Sequence, residues 1–245
     1  MINPDAIHRH IGQLEHERAA FLWDMYSRQL KKKDSITSYL DVGAGDQANL
    51  NLFRGKTNAQ YAVGIDIRRN LSKPADVELV RADAAALPFR PLSFQLVTMI
   101  SVVEHVSNQI ACVSEAVRVL RADGDLFIQL PNRYFPIELH SGLFMYFYLP
   151  KIARLWLARI AEQPWMERID IPSARKLVRM LRECKPRHAI VTHGFFYPKS
   201  LLPESKLLRS IHEVLRILGI FRILPMGYIV LVRANNRADG KNVFT

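Results

Sequence analysis

Residues 38–48 read Ser-Tyr-Leu-Asp-Val-Gly-Ala-Gly-Asp-Gln-Ala, and this stretch decides the fold. Its apolar start, Tyr39–Val42, predicts a buried strand, and a helix is predicted to begin near Asp46. The glycines between them allow a positive φ and let a ligand approach the bare main chain, while the helix start presents free N–H groups. The stretch therefore predicts either a loop that grips a nucleotide-like ligand or a tight turn that uses glycine for its own geometry.

A carboxylate ends the next predicted strand, Tyr61–Ile67. Asp66 lies about one strand–helix–strand unit beyond the glycines, where an acidic side chain can accept both hydroxyls of a ribose. The alternative is an aspartate that caps the following turn. The glycines and Asp66 together favour the ribose role.

The composition is that of a globular chain of 245 residues, with 49% apolar residues and a net charge of +11. This length suits one well-buried α/β domain. Cys112 and Cys184 lack the spacing of a disulfide framework or a metal site, and the start of the chain shows no signal-peptide pattern, so a cytoplasmic location is expected. The charge fits an anionic partner, such as nucleic acid or a phospholipid surface, or simply a basic soluble surface.

Strands and helices alternate along the rest of the chain. Further strands are predicted at 77–80, 94–100, 125–130, 189–193 and 227–233, and helices at 4–32, 49–54, 108–120, 151–161, 173–183 and 203–218. Arg121–Gly124 is predicted to be a turn. This alternation predicts a parallel sheet covered by helices on both faces, with ligands bound outside the carboxyl ends of its strands.

Five short motifs in a fixed order carry a resemblance to a known family. They are Leu40–Gly45, Gly64–Asp66, Ala82–Ala84 with Leu87–Phe89, Val103–Val106 and Leu120–Gly124. On these motifs, residues 39–132 resemble a class I S-adenosylmethionine-dependent methyltransferase of the methyltransferase type 11 kind. The order and spacing of all five are far more specific than the glycines alone.

The resemblance implies a Rossmann-like, doubly wound α/β sheet, mostly parallel, with an antiparallel last strand and a helical cap inserted after the fifth strand. It implies S-adenosyl-L-methionine as the cofactor. The cofactor-binding residues that it implies are, from the methionine end to the adenine end, Asp41, Gly43, Ala44, Gly45, Asp66, Ile67, Asp83, Ala84 and Leu87.

Two residues depart from the family pattern. Gln47 stands where the family usually has a third glycine, and Gln95 stands where it often has aspartate. The Gln47 side chain either crowds the loop or points outward from the helix start, so weak or absent cofactor binding stays open. A dinucleotide site is the alternative, since Ala48 can take the third position of that glycine pattern, but Glu104–Val106 fits the methyltransferase pattern better.

The chain is predicted to form one domain. Its parts are an N-terminal helix at 1–35, a cofactor-binding core at 36–132, a cap insertion at 133–172, the rest of the core at 173–234 and a frayed tail at 235–245. The cap joins an aromatic run, Phe144–Pro150, to a basic amphipathic helix at 151–161. Three interpretations stay open for it: a substrate pocket, a peripheral membrane contact through 144–161, or a helical cap that only packs.

The implied chemistry is in-line methyl transfer, in which the protein positions and desolvates and one general base assists. His105 is the first candidate because an unperturbed imidazole titrates near neutrality, with Glu104 to orient or assist it and His140 or His193 as alternatives. No third ligand is identifiable beside them, so no metal is predicted. The predicted acceptor is a small molecule, a glycan or a lipid intermediate. The alternatives are a non-catalytic module on the same fold and, given the positive charge, an RNA methyltransferase.

Overall fold

The computed structural model describes residues 4–30, 36–68, 77–136, 146–160, 168–184, 188–201, 206–220 and 224–234. Its strands are β1 (Ser38–Val42), β2 (Tyr61–Asp66), β3 (Glu78–Arg81), β4 (Phe94–Ile100), β5 (Leu120–Pro131), β6 (His188–Phe195) and β7 (Gly227–Ala234). Its α-helices are α1 (Pro4–Ser27), α2 (Ala48–Thr57), α3 (Gln109–Val119), α4 (Lys151–Ile160), α5 (Ala174–Glu183) and α6 (Lys206–Ile217). Single 3₁₀ turns lie at Val103–His105, Tyr146–Tyr148 and Lys199–Leu201.

The strands form one sheet in the order β3-β2-β1-β4-β5-β7-β6. The pairs from β3 to β5 are parallel, and β7 is antiparallel to both β5 and β6. The predicted doubly wound α/β fold is confirmed, including its antiparallel last strand. From β1 the chain continues to β2 and β3 on one side of the sheet and then crosses to β4 and β5 on the other side. The loops that follow β1 and β4 therefore run in opposite directions and leave a crevice between them, where such sheets bind ligands.

The sheet is buried on both faces. Leu40 and Val42 of β1 pack into one apolar layer with α3 and α5. Tyr39 of the same strand packs into the other layer with α1 and α2. Since both faces are covered, the central strands are nearly continuous apolar runs, and this is why the bounds of β4 match the sequence prediction.

A buried ion pair ties α1 to the sheet. Arg233 of β7 donates to both carboxylate oxygens of Asp125 in β5, with Nε to Oδ1 at 3.0 Å and Nη2 to Oδ2 at 2.6 Å. The Tyr26 hydroxyl of α1 also donates to Asp125 Oδ2, at 3.0 Å, and Arg233 donates to the backbone carbonyl of Gln29 just beyond α1. Because these buried groups satisfy one another, they fix where α1 lies against β5 and β7.

Two sequence predictions need correction. The first helix ends at Ser27 rather than near residue 32. The predicted turn at Arg121–Gly124 was wrong, since the segment lies within β5. The pairing with β4 shifts from Phe94–Leu120 to Leu96–Asp125, so the extra residues bulge out of the strand without ending it.

The cap is described at 133–136, 146–160 and 168–172. Within it, the fully buried Ala158 of α4 packs in a small cluster with Tyr146. The candidate base His140 and the tail at 235–245 lie outside the described residues. In the ranges that the structure describes, no helix has both the length and the apolarity to cross a membrane.

Candidate functional site

A cavity of about 580 Å³ opens at the carboxyl edge of the sheet. Two walls bound it. The loop wall comprises residues 43–45, 66–68 and 82–84, which follow β1, β2 and β3. The helix wall comprises Arg18 of α1 together with residues 101–102 and 105–107, which follow β4. The four strand ends that supply these loops are neighbours in the sheet, so the cavity lies at the predicted edge.

The loop after β1 exposes its main chain because two of its residues are glycine. Gly43 and Gly45 have φ values of +72° and +55°, which residues with a side chain rarely adopt. A Cβ built on Gly43 would lie 2.5 Å from Cγ2 of Val102. The loop after β4 therefore closes directly on the bare Cα, and the cradle has no space for a side chain there.

Gln47 occupies a left-handed conformation at the start of α2, with φ of 70°. Gln47 is 2% exposed and does not line the cavity. The predicted outward orientation of this side chain was therefore wrong, and the side chain does not enter the cavity either. Gln95 is equally remote, since its side-chain oxygen accepts from the backbone N–H and the hydroxyl of Thr37, at the opposite end of β1.

Asp66 ends β2 and lines the cavity. Its Oδ2 accepts from the backbone N–H of Gly45 at 3.0 Å, which joins the glycine loop to the neighbouring strand end. Its Oδ1 accepts from the backbone N–H of Arg68 at 2.9 Å, and the Arg68 guanidinium donates to both oxygens at 3.2 Å. Burial acts to raise the pKa of Asp66, but these hydrogen bonds outweigh it and lower the pKa below its ordinary value. The side chain is thus a carboxylate at neutral pH.

Asp83 and Ala84 complete the loop wall. The Asp83 side chain is exposed and its Oδ1 accepts from the backbone N–H of Ala85 at 2.9 Å. Leu87 does not reach the cavity, because it is 5% exposed and packs into the core. Glu115 of α3 accepts from the Leu87 backbone N–H at 2.8 Å and holds the loop in this position.

Asp41 lies behind the glycine loop and is absent from the cavity lining. It is 1% exposed, and its Oδ1 accepts from the Thr98 hydroxyl at 2.6 Å. Among the described residues, its Oδ2 has no hydrogen-bond partner. Burial raises the pKa of Asp41 to about 7, so its carboxyl gains and loses its proton near neutral pH.

The loop after β4 begins at Ser101, whose hydroxyl donates to the Gln129 side chain at 2.9 Å. His105 follows on the 3₁₀ turn, lines the cavity and is exposed. Glu104 is 1% exposed and does not line the cavity, and its backbone carbonyl accepts from the Asp170 N–H at 3.0 Å. The structure thus brings His105 to the cavity and places Glu104 beneath it. His193 on β6 does not line the cavity either.

Helix α1 covers the remaining side. Arg18 lines the cavity, and Glu15, one turn earlier, is hydrogen-bonded to Asp46 of the glycine loop. This contact with a second carboxyl, together with burial, raises the pKa of Glu15 to about 7. Glu15 therefore keeps its proton up to about neutral pH at the contact between α1 and the loop.

Sequence reasoning missed several lining residues, chiefly Arg18, Asn49, Arg68 and Ser101. Arg68 had a signal, because a cation two residues after a strand-end aspartate can return to it. Arg18 had none, because its place at the cavity depends on how α1 docks.

Residues 40–128 match the family model described as a methyltransferase domain. Two Mycobacterium tuberculosis proteins named as probable S-adenosylmethionine-dependent methyltransferases are 29% identical over 109 residues, which is 43% of this chain. The chain spans 40% of the length of these relatives.

Solved structures share the whole fold. A chain of the complex that contains the Haloferax volcanii Trm112 methyltransferase activator aligns with a TM-score of 0.62 at 12% identity, covering 94% of this chain and 95% of that one. An S-adenosylmethionine-dependent methyltransferase from Archaeoglobus fulgidus aligns with a TM-score of 0.57 at 17% identity, covering 89% and 94%. At these identities the likeness is one of fold.

Proposed function

We propose that the chain is a class I S-adenosylmethionine-dependent methyltransferase that methylates a small-molecule, glycan or lipid-intermediate acceptor. One observation carries the proposal. The bare glycine loop and the Asp66 carboxylate face the same cavity and are joined by the hydrogen bond from Gly45. A cradle that excludes a Cβ, beside a fixed carboxylate, is suited to a ligand that combines a ribose with an extended chain.

The residues of the loop wall fit the cofactor. Gly43 and Gly45 would hold its methionine part against their backbone, Asp66 its ribose hydroxyls, and Asp83 with Ala84 its adenine. S-adenosylmethionine supplies, when bound, an electrophilic methyl group on a sulfonium. The protein then contributes alignment, exclusion of water and removal of a proton from the acceptor.

His105 is the proposed general base. Of the two histidine candidates that the structure describes, His105 lines the cavity and His193 does not, and His105 lies on the helix wall, across from the loop wall. Its imidazole can take a proton from a hydroxyl or an amine that approaches the cofactor. Glu104, buried just before it, is proposed to hold the turn that presents it.

Calorimetric titration with S-adenosylhomocysteine tests the cofactor site. Wild type should bind in the micromolar range, and Asp66→Ala should weaken binding by about a hundredfold, because two ribose hydrogen bonds to a charged group are lost. Asp123→Ala is the matched control, since Asp123 also pairs with an arginine two residues away but lies on the β5 bulge. No binding of wild type at millimolar concentration would overturn the enzyme proposal and favour the non-catalytic module.

Transfer of a labelled methyl group tests the acceptor class. Purified protein and labelled S-adenosylmethionine are added to a bacterial extract, which is then divided into lipid, small-molecule and RNA fractions. The label should enter the first or second fraction, and His105→Ala should reduce it by about a hundredfold or more. Label that ribonuclease releases would overturn this acceptor class in favour of RNA.

We also propose that α4 brings the protein to an anionic lipid surface. Ile152, Trp156 and Ile160, spaced by four residues, are 83%, 66% and 58% exposed and form one apolar stripe. Exposed Arg159 borders the stripe, and the chain carries a net charge of +11. A basic helix with tryptophan on its apolar face suits the boundary of an anionic bilayer.

Sedimentation with vesicles tests this contact. Wild type should sediment with vesicles that contain phosphatidylglycerol and remain in solution with pure phosphatidylcholine. Trp156→Ser should reduce the bound fraction several-fold, whereas Val214→Ser, at an exposed apolar position of α6, should not. Equal loss in both variants, or no sedimentation of wild type, would contradict the proposal.

A further inference from the structure

Two guanidinium groups line the cavity, and they differ in their partners. Arg68 donates to both carboxylate oxygens of Asp66. Arg18 is half-buried, yet within the ranges that the structure describes it has no hydrogen bond and no ion pair. A cation that has lost part of its hydration without gaining a partner is unfavourable unless a ligand supplies one.

The acid one turn before Arg18 on α1 does not neutralise it. Glu15 is hydrogen-bonded to Asp46, and its raised pKa of about 7 leaves Glu15 largely uncharged up to about neutral pH. Arg18 acts on Glu15 only electrostatically, by opposing the rise in its pKa. The guanidinium charge is therefore left to face the cavity.

The position of Arg18 is fixed by its helix. The next residue, Ala19, and Leu22 one turn later are both fully buried, and Tyr26 is held by the Asp125–Arg233 pair. A charged side chain on a helix anchored in this way is preorganised, because little backbone freedom remains to be lost when a ligand binds.

Arg18 lies on the side of the cavity away from Asp83. It is close enough to the Tyr197 hydroxyl, in the loop after β6, to oppose the rise in the pKa of Tyr197 that burial causes, and Glu104 acts on the same hydroxyl. Asp83 follows β3, which is the opposite edge of the sheet from β6. Arg18 thus faces the end of the cavity where the methyl group would be transferred.

We propose that Arg18 binds an oxyanion, a carboxylate or a phosphate, on a ligand at the helix wall. This inference rests on the proposed methyltransferase function. A guanidinium fork matches two oxygens of either group, and such charge-assisted pairs are among the stronger hydrogen bonds in proteins. The oxyanion belongs either to the amino-acid part of the cofactor or to the acceptor.

A titration with two ligands separates these sources. S-adenosylhomocysteine carries the carboxylate, whereas 5′-methylthioadenosine keeps the nucleoside and sulfur but lacks the amino-acid part. Both are titrated into wild type, Arg18→Gln, Arg18→Lys and Arg28→Gln. Arg28 is the matched control, because it lies just beyond α1, is exposed and pairs with Asp24 instead of lining the cavity. Inorganic phosphate is then titrated into each protein saturated with S-adenosylhomocysteine.

Two results support the inference. If Arg18→Gln weakens S-adenosylhomocysteine about tenfold to a hundredfold and leaves 5′-methylthioadenosine unchanged, Arg18 binds the cofactor carboxylate. If neither nucleoside is affected but phosphate binds the loaded wild type and not Arg18→Gln, the oxyanion belongs to the acceptor. In either case Arg18→Lys should retain part of the affinity, since lysine keeps the charge but cannot donate two parallel hydrogen bonds to the oxyanion.

Two other results overturn it. Equal weakening of both nucleosides by Arg18→Gln would mean that the residue only supports the fold of the cavity. Unchanged binding of all three ligands would mean that Arg18 has no anionic ligand. The proposed function fails separately, because in that case wild type itself binds neither nucleoside.

Discussion

The loop wall and the helix wall of the cavity are built in different ways. The loop wall is closed by hydrogen bonds within itself, from Gly45 and Arg68 to Asp66 and from Ala85 to Asp83. The helix wall joins segments far apart in sequence, Arg18 with Ser101 and His105, and its arginine has no such bond within the described residues. One wall is set by short loops between neighbouring strands, and the other by how helices dock.

This difference separates two tasks. A wall held by its own backbone suits the part of the ligand that is the same in every reaction of the family. A wall whose arginine has no hydrogen bond within the described residues suits the part that varies, which is the acceptor. Four substitutions in or behind the loop wall test its side of this division.

The largest effect is expected for Gly43→Ala. The new Cβ would meet Val102 at 2.5 Å on a backbone with φ of +72°, so the loop wall must deform. We expect a loss of about 3 kcal/mol in stability and at least a tenfold loss of S-adenosylhomocysteine affinity, measured by denaturation and calorimetry. Gly55→Ala in α2 is the control, since its Cβ would meet nothing within 4 Å. Retained affinity in Gly43→Ala would show that the bare backbone is not part of the site.

Asp41→Asn should give a stability change that depends on pH. The raised pKa of about 7 means that the folded state takes up a proton that the unfolded state releases, so wild-type stability falls as pH rises from about 4 to 7. The variant carries no such charge and should be about 2 kcal/mol more stable at pH 8, with the gain vanishing near pH 4. Urea denaturation at both pH values measures this. A gain of the same size at both would contradict the assignment.

Arg68→Ala should raise the affinity of the loop wall for the nucleoside. The Arg68 guanidinium now occupies both oxygens of Asp66, which a ribose would need. Removing this ion pair, which is exposed on its Arg68 side, should raise S-adenosylhomocysteine affinity by about threefold. Arg121→Ala, which breaks the similar pair on the β5 bulge, should leave affinity unchanged. A loss of affinity in Arg68→Ala would instead make Arg68 a ligand contact.

The smallest effect is expected for Gln47→Gly. The side chain is buried away from the cavity, and glycine suits the left-handed backbone at this position. S-adenosylhomocysteine affinity measured by calorimetry should stay within about twofold of wild type, because only the loop backbone faces the ligand. A larger change would show that Gln47 shapes the loop from behind.

The loop wall could be predicted from sequence because its signals are local. The glycines, Asp66 and Asp83 each follow an apolar strand, and strand ends in a parallel sheet meet at one edge. The exceptions have physical causes. Leu87 turns into the core because Glu115 holds its backbone, and Asp41 stays behind the loop because Thr98 holds its carboxyl.

On the helix wall, His105 was predicted from its motif, but the place of Arg18 could not be predicted in the same way. Nothing near Arg18 in sequence marks it as a cavity residue, since its place follows from the contact between Tyr26 and Asp125, 99 residues apart. The bulge at Arg121–Gly124 was not predicted from sequence for a similar reason. Its residues have the composition of a turn, but β5 pairs with β4 before them at Leu120 and again after them from Asp125, where it also pairs with β7, and this keeps the chain in the sheet.

The buried pair between Asp125 and Arg233 also has a consequence for the order of events during synthesis. Strands β1 to β4 lie within the first 100 residues, so they leave the ribosome well before β7. Helix α1 also emerges early, but Asp125, which its Tyr26 contacts, pairs with Arg233 on β7, 108 residues beyond Asp125. We therefore expect a nascent chain that stops before β7 to carry a first helix that is not yet docked on the sheet.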